Sequence, residues 1–414
     1  MSDVTHKPKV SVSEYQPVSF SASKFNDPWL SAFLHVLQRI QYGHVTLSLP
    51  SGSLFEFGQP VAGVKGAQMD LHDIGAVKRF LKHSDIGLGE SYMDGQWSSP
   101  DLDALMQVAL LNEQYLKESI LGGLLTKIQH LFALFKTRNT RSGSRRNIAH
   151  HYDLGNDFYR LWLDRTMTYS SALFGENDQS LAQAQMRKYQ EIARIAGVEK
   201  GSKILEVGCG WGGFAEFAAI EYQGQTDGLT LSEEQLAFAK DRLSSQGLEK
   251  QARFFLRDYR DHHGDYDAIV SIEMFEAVGR ENWDSYFQCL KQNLKAGRKA
   301  AVQVITIDEN RYDTYLGAQD FIQKYIFPGG LLPSKTAFMN SARKNGFNVR
   351  ICHEFGTDYA DTLSQWEKDF QKNWQKISTL GYDTRFKRMW EFYLKYCEAG
   401  FRQKSLDVVI FELS

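Results

Sequence analysis

The chain has no Cys-x-x-Cys pair, and its four cysteines, Cys209, Cys289, Cys352 and Cys397, stand far apart. That spacing excludes paired-thiol zinc sites and dense disulfide frameworks, and it predicts a reducing, cytoplasmic setting. Charge of one sign is also lacking. Lys and Arg number 48 against 50 Asp and Glu, a net charge of -2, which argues against a nucleic-acid partner held by global charge. There is no run of about eighteen apolar residues, and the N-terminal MSDVTHKPKV is polar. Neither a signal peptide nor a membrane span is therefore expected, and any membrane contact would be peripheral. What remains is a globular composition, 43% hydrophobic and 24% charged. Its 414 residues suit two or three domains, and no internal repeat is evident.

Residues 1–20 mix Ser, Lys, Val and Thr without helical or strand period, which predicts a mobile tail. Residues 21–135 read as a small α+β domain, expected to interact with lipid. Within it, HVTLSLPSGSLFEFG alternates apolar and polar residues around a Pro-Ser-Gly turn, a hairpin pattern from His44 to Gly58. Helical periods follow at AVKRFLKH and LDALMQVALL, and again from Tyr115 to Phe135. Residues 136–147 then form a basic linker carrying Lys136, Arg138, Arg141, Arg145 and Arg146. An apolar helix followed by such a segment suits contact with anionic headgroups at a membrane surface. A solvated interdomain linker around Ser142-Gly143-Ser144 fits the same residues.

The remaining chain, 148–414, reads as the larger domain. From Lys203 it alternates strand and helix: KILEVGCGWGGFAEFAAI, QTDGLTLSEEQLAFAKDRL, then strands at ARFFLRDYR, YDAIVSIEMF and KAAVQVITI. This order predicts an α/β fold, a mostly parallel sheet covered by helices on both faces. The helix RFKRMWEFYLKYCEAGF and the strand LDVVIFEL are expected to complete the sheet edge.

Gly208, Gly210 and Gly213 satisfy G-x-G-x-x-G between a strand and a helix, a turn that lets a ligand approach the backbone. Dinucleotides and S-adenosylmethionine both bind such turns, and Asp227 lies roughly 20 residues beyond Gly208, near the position of a dinucleotide's ribose carboxylate. Three features favour S-adenosylmethionine. Glu206, two residues before the turn, would repel a pyrophosphate but attract a cationic amine. Thr230, Ser232 and Gln235 after the second strand offer neutral hydrogen bonds. Asp258 and Tyr259 after the third strand suit an adenine amine and ring.

The segments AHHYDLGNDFYRLWLDRTMTYSSALF, ILEVGCGWGG, GLTLSEEQ, DYRD, MFEAVG, KYIFPGGLLPS, DYADTL and YLKYCEAGFRQKSLDVVIF resemble, in order, the cyclopropane-fatty-acyl-phospholipid synthase family with its mycolic acid methyltransferase branch. The resemblance runs from about residue 145 to the C-terminus, with a weaker echo at LGESYMDGQW. It implies a class I, Rossmann-like S-adenosylmethionine methyltransferase domain. It also implies methyl transfer to the cis double bond of an unsaturated acyl chain in membrane phospholipid, closing to a cyclopropane. A bound bicarbonate or carbonate ion would be the base. By resemblance its site comprises Glu276, Tyr359, the backbone at Ile305, and two departures from the family pattern, Ser171 for cysteine and Gln303 for histidine. The donor contacts would be Tyr169, Ser170, Gly208, Gly210, Thr230, Gln235, Asp258 and Tyr259, with Glu206 added from the residues themselves. Glu273, just upstream, reads as a solvated strand-end charge, with a catalytic role as the alternative.

The departures leave a methyl-branched or methylene product open, with Glu276 as an alternative proton acceptor. Two other functions remain open on the residues. One is methylation of a small soluble acceptor; the other is lipid binding with turnover lost through Ser171 and Gln303. No metal is expected. A peripheral location at the inner face of the membrane follows from the lipid substrate, and a homodimer is the default oligomer.

Overall fold

The computed structural model describes residues 27–117, 139, 143, 154–177 and 180–414. The tail at 1–20, nearly all of the 136–147 linker and most of the Tyr115–Phe135 stretch lie outside these residues. Among the described residues, no helix is long and apolar enough to cross a membrane.

The hairpin forms where the alternation places it. Strands β1 (Gly43–Ser48) and β2 (Leu54–Gln59) pair antiparallel with His44 opposite Gly58. Val45 and Leu47 point inward while His44 and Thr46 are half-exposed, the one-sided burial that period-two patterning dictates. With β3 (Ala67–Leu71) and β4 (Trp97–Ser98) they make a four-stranded sheet of order β2-β1-β3-β4. The helices Pro28–Leu37, Gly75–Met93 and Leu102–Leu111 belong to the same N-terminal unit.

The larger sheet contains β5 (Lys203–Val207), β6 (Gln225–Thr230), β7 (Ala252–Leu256), β8 (Tyr266–Ile272), β9 (Leu294–Ile307), β10 (Val349–Glu354) and β11 (Leu406–Leu413), in the order β10-β11-β9-β8-β5-β6-β7. β5 to β9 run parallel, while β11 and β10 are antiparallel to their neighbours. From β5 the chain moves outward through β6 and β7, then returns to β8 on the other side. Beyond the carboxyl ends of β5 and β8 this reversal opens the crevice in which such sheets bind ligands.

One expectation needs correction. LDVVIFEL does not end the sheet: β11 lies between β9 and β10, with Val408 to Phe411 fully buried. The edge is β10, whose VRICHE sequence is half-exposed or exposed throughout and carries the charged residues that suit an unpaired strand edge.

The helix Thr384–Arg402 joins the two units. It packs on Gly356–Lys372 of the larger unit and on Gly75–Met93 and Leu102–Leu111 of the smaller one. Arg388 donates to the carbonyls of Tyr92 (2.5 Å) and Trp97 (2.7 Å), and Tyr92 donates to Glu391 (3.2 Å). At the helix centre Trp390 is 1% exposed and meets the rings of Phe158, Trp162, Phe386 and Tyr393. Trp390→Ala should cost about 3–5 kcal/mol of stability through the cavity it leaves, read as a lowered denaturant midpoint. A shift worth less than about 1 kcal/mol would show that this helix does not carry the packing assigned to it.

Candidate active site

The strand ends deliver the side chains. β5 runs into the glycine turn, where the Gly208 and Cys209 amides donate to the carbonyl of Leu229 on β6 (3.0 and 2.8 Å). Gly208 has φ +86°, and a Cβ there would lie 2.7 Å from Cγ of Met274. Gly210, at φ +50°, has nothing within 4 Å of an added Cβ. One glycine is thus required by the fold, and the other leaves backbone open to a ligand.

A cavity of about 510 Å³ begins at this turn, within the range of small-molecule sites. Glu206 lines it, buried at 3% exposure, with Oε2 lacking a hydrogen-bond partner among the described residues. Burial pushes its carboxyl well above the usual range, against the pull of Arg242 and Lys188. An unpaired carboxyl of this kind is suited to the charged amine of an incoming donor. Thr230 and Gln235 also line the cavity and hydrogen-bond to each other (2.9 Å). Asp258 caps the short turn Tyr259–Asp261 and holds Arg260 through both oxygens (2.8 and 2.6 Å). Next to it the hydroxyl of Tyr259 is buried without a partner among the described residues. These orphaned groups fit a ligand bearing an amine, hydroxyls and a purine. Tyr169 and Ser170 complete this wall, Tyr169 bonded to the hydroxyl of Tyr393 (2.7 Å) and Ser170 Oγ to Lys188 Nζ (2.6 Å).

Two carboxyls stand deeper in the cavity. Glu276 lies on the short turn Phe275–Ala277, accepts from the Ile305 amide (2.5 Å), and keeps Oε2 buried without a partner among the described residues. Burial, and then the adjacent Glu273, push its pKa up to about 8. Glu273 is not the solvated charge expected of it. It lines the cavity, and its Oε1 accepts from the Ser171 amide (2.9 Å) and the Gln303 side chain (2.7 Å), while the Tyr359 hydroxyl faces this carboxylate. Burial raises its pKa; the positive charge of Lys188 and these three donors oppose that rise. Both carboxyls are thus pushed upward: Glu276 is protonated at neutral pH, and Glu273 is the one whose surroundings favour a negative charge.

Glu273 also holds a left-handed backbone, φ +50°, a conformation costing a non-glycine residue about 1–2 kcal/mol. Its bonded side chain keeps it there. Ser171 and Gln303 are fully buried behind Glu273 rather than on the cavity wall, and the Ser171 hydroxyl turns away to the Ala172 carbonyl (2.9 Å). Each donor expected to hold carbonate is thus engaged by a carboxyl of the chain: Ser171, Gln303 and Tyr359 by Glu273, and Ile305 by Glu276. A separate carbonate ion would meet the Glu273 carboxylate already seated on these donors, with the protonated Glu276 carboxyl the one donor of this set left to it. The residues present do not fit a separate carbonate ion.

Asp227 is not a ribose ligand. It sits within β6, 5% exposed, paired with Arg253 (2.8 and 2.7 Å) and accepting from Tyr266 (2.7 Å). The spacing lands within β6, three residues before Thr230 at the strand's end, and Asp227 does not line the cavity as Thr230 does. Lys188 is a participant that motif spacing did not reveal. It is fully buried, and burial lowers its pKa to about 7 against the pull of Glu273, Asp164 and Glu206. The far end of the cavity is lined by Ser84, Asp85, Leu110 and Glu113 of the N-terminal unit.

The strand order with its reversed β11, and a carboxyl beside the glycine turn where a pyrophosphate would be repelled, define the class: an S-adenosylmethionine-dependent methyltransferase. A family model described as mycolic acid cyclopropane synthetase matches residues 139–411. The chain is 40% identical over 339 residues to the tuberculostearic acid methyltransferase UfaA1 of Mycobacterium tuberculosis, covering 80% of this chain and 79% of that one. It is 36% identical over 339 residues to the cyclopropane-fatty-acyl-phospholipid synthase of Escherichia coli, covering 80% and 83%. A crystal structure of the mycolic acid cyclopropane synthase CmaA1, complexed with SAH and CTAB, superimposes with TM-score 0.61 at 32% identity, over 65% of this chain and 97% of that one. The chain belongs to the mycolic acid cyclopropane synthetase family, and it is a C-methyltransferase.

Gly208→Val should abolish S-adenosylmethionine binding measured by calorimetry, through backbone strain and collision with Met274; unchanged affinity would contradict this placement of the donor. A second test uses Glu276. Its carboxyl is protonated up to about pH 8 in the fold but ionises near 4.5 when unfolded. Its contribution to stability is therefore full below pH 4.5 and lost as the pH rises toward 8. The melting temperature of Glu276→Gln minus that of the parent should accordingly rise between about pH 5 and pH 8. A flat difference would show that Glu276 is not held protonated.

Proposed function

We propose that the protein transfers a methyl(ene) group from S-adenosylmethionine to the cis double bond of an unsaturated acyl chain in membrane phospholipid, with a cyclopropane as product. The observation that carries this reading is the cavity itself. It runs from the glycine turn past the carboxyl pair to the N-terminal unit, along walls that include Ile272, Ile305, Ile307, Phe327, Leu331 and Leu363. An alkene is a weak nucleophile, so transfer to it depends on alignment and on exclusion of water. Apolar walls provide both for a hydrocarbon chain. A small polar acceptor would find few partners along them.

S-adenosylmethionine supplies an electrophilic methyl group on a sulfonium. The chain's own residues have the remaining tasks: Glu206, Thr230 and Gln235 bind the donor's amine and hydroxyls, Asp258 and Tyr259 its adenine, and Tyr169 and Ser170 close the adjoining wall. Tyr359, with Ser171, Gln303 and Ile305 behind the carboxyls, orients Glu273 and Glu276 toward the reacting carbons. The relatives' names differ in product, so the product must be read directly. Purified protein is incubated with S-adenosylmethionine and unsaturated phospholipid vesicles, and the fatty acid methyl esters are separated by mass. A saturated methyl branch carries two more hydrogens than a ring, and a methylene branch, which has the ring's mass, is told from it by its vinylic 1H NMR signal; the ring is expected, and an unchanged acyl profile would overturn the reading. Tyr359→Phe should lower turnover about 10- to 100-fold, the worth of one hydrogen bond to a charged group, with donor affinity unchanged. Full turnover in this variant would remove Tyr359 from the site.

The N-terminal unit and the basic 136–147 stretch extend this reading to the membrane: the protein binds the surface peripherally while an acyl chain enters the cavity. Support comes from the sequence, through Arg138, Arg141, Arg145 and Arg146, and from the lining that the N-terminal unit contributes. Neutralising these four arginines should weaken co-sedimentation with anionic vesicles, and added salt should weaken the parent in the same way. Co-sedimentation indifferent to both would leave the stretch a linker.

A further inference from the structure

We propose that Glu273 is this enzyme's own base, its carboxylate occupying the position in which the family resemblance places a carbonate ion, so that turnover requires no bicarbonate. The inference rests on the reaction proposed above. Three of the four donors attributed to the carbonate site converge on the Glu273 carboxylate: the Ser171 amide at 2.9 Å, the Gln303 amide group at 2.7 Å and the Tyr359 hydroxyl. The fourth, the Ile305 amide, is taken by Glu276 at 2.5 Å. A carboxylate and a bicarbonate ion share the flat, two-oxygen end that such donors recognise. What the family takes from solution, this chain supplies on its own backbone.

The exchanged residues agree with that assignment. A histidine can hold a mobile anion by charge, whereas Gln303 is neutral and donates one defined hydrogen bond, enough for an anion already tethered by its own side chain. A compensating positive charge is available from Lys188, buried on the helix Leu181–Ala196 with its pKa lowered to about 7, and the largest favourable electrostatic partner of Glu273. The left-handed backbone at Glu273 points the same way, because a merely structural residue at φ +50° would be relieved by glycine.

The alkene π pair forms a bond to the methyl carbon as the carbon–sulfur bond breaks, its electrons staying on sulfur as S-adenosylhomocysteine. Positive charge is left on the second alkene carbon. A Glu273 oxygen takes one proton from the added methyl, and the freed C–H pair closes the third ring bond. The proton leaves Glu273 for water once the product vacates the cavity.

The test compares the parent, Glu273→Gly and Glu273→Gln, each with S-adenosylmethionine and unsaturated phospholipid vesicles, in buffer stripped of carbon dioxide and in buffer with added bicarbonate. Binding of 13C-bicarbonate is followed separately by NMR line broadening. The parent should turn over equally in both buffers and broaden no signal. Glu273→Gly, free of backbone strain and with the anion position vacated, should fall at least about 100-fold without bicarbonate, recover with it, and broaden the signal. Glu273→Gln, whose amide fills the position, should be inactive in both buffers. A parent that needs bicarbonate, or that binds it, overturns the proposal. So does Glu273→Gly that stays fully active without bicarbonate, or that binds S-adenosylmethionine normally yet is never rescued. If the parent makes no product in either buffer, the reaction proposed above fails, and the NMR comparison still shows whether Glu273 occupies the anion position.

Discussion

A single buried negative charge organises the deep end of this cavity. A negative charge on Glu273, away from bulk water, is favoured because the Ser171 amide, the Gln303 side chain, the Tyr359 hydroxyl and the Lys188 amine all face it. Those four groups come from the loop before the helix Leu181–Ala196, from β9, from the helix Gly356–Lys372 and from Leu181–Ala196 itself. The packing of three layers therefore meets at one carboxylate. Its charge sets the state of its neighbour too, since Glu276 cannot ionise readily beside it. Lys188 extends the coupling to the other end, where Glu206 waits for a cationic donor. Binding that donor adds a positive charge to a volume already balanced between one lysine and three carboxyls.

Such electrostatics have force only in a dry space, and dryness is the contribution of the tertiary arrangement. Neither unit encloses the cavity alone. The larger one provides the glycine turn and strand ends, the smaller one Ser84, Asp85, Leu110 and Glu113 at the far wall. The helix Thr384–Arg402 holds them together, burying Trp390 on one face while Arg388 ties it to the carbonyls of Tyr92 and Trp97. The kink in the helix Gly75–Met93 at Ser84 sits beside Asp85, where the smaller unit reaches the cavity.

Much of this was legible in the residues because it is local. The His44–Gly58 hairpin follows from alternation around a turn, and the strand-turn-helix at Gly208 from glycines within a few positions of one another. β10 was missed because its half-exposed VRICHE pattern lacks the apolar run that marked its neighbours, and β11 was consequently placed at the edge. Asp227 kept a dinucleotide in view through spacing alone, and a distance in sequence says nothing about how far along a strand a residue sits. Lys188 did leave a signal. It occupies the apolar stripe of its helix between Ala184 and Ile192, a place where a lysine is costly unless it meets a charge.

The sequence by itself determined the methyl donor, because Glu206 and the three glycines of the turn lie within a span of eight residues and act through backbone geometry that neighbouring residues impose. The family followed from ordered motifs in the same way. Only the tertiary structure decided what Glu273 does. Its partners lie 102 and 30 positions away at Ser171 and Gln303, and a carboxylate's role depends on which donors surround it and whether water is excluded. Residue type alone made Glu273 a surface charge; three layers packed around it made it an anion held in place.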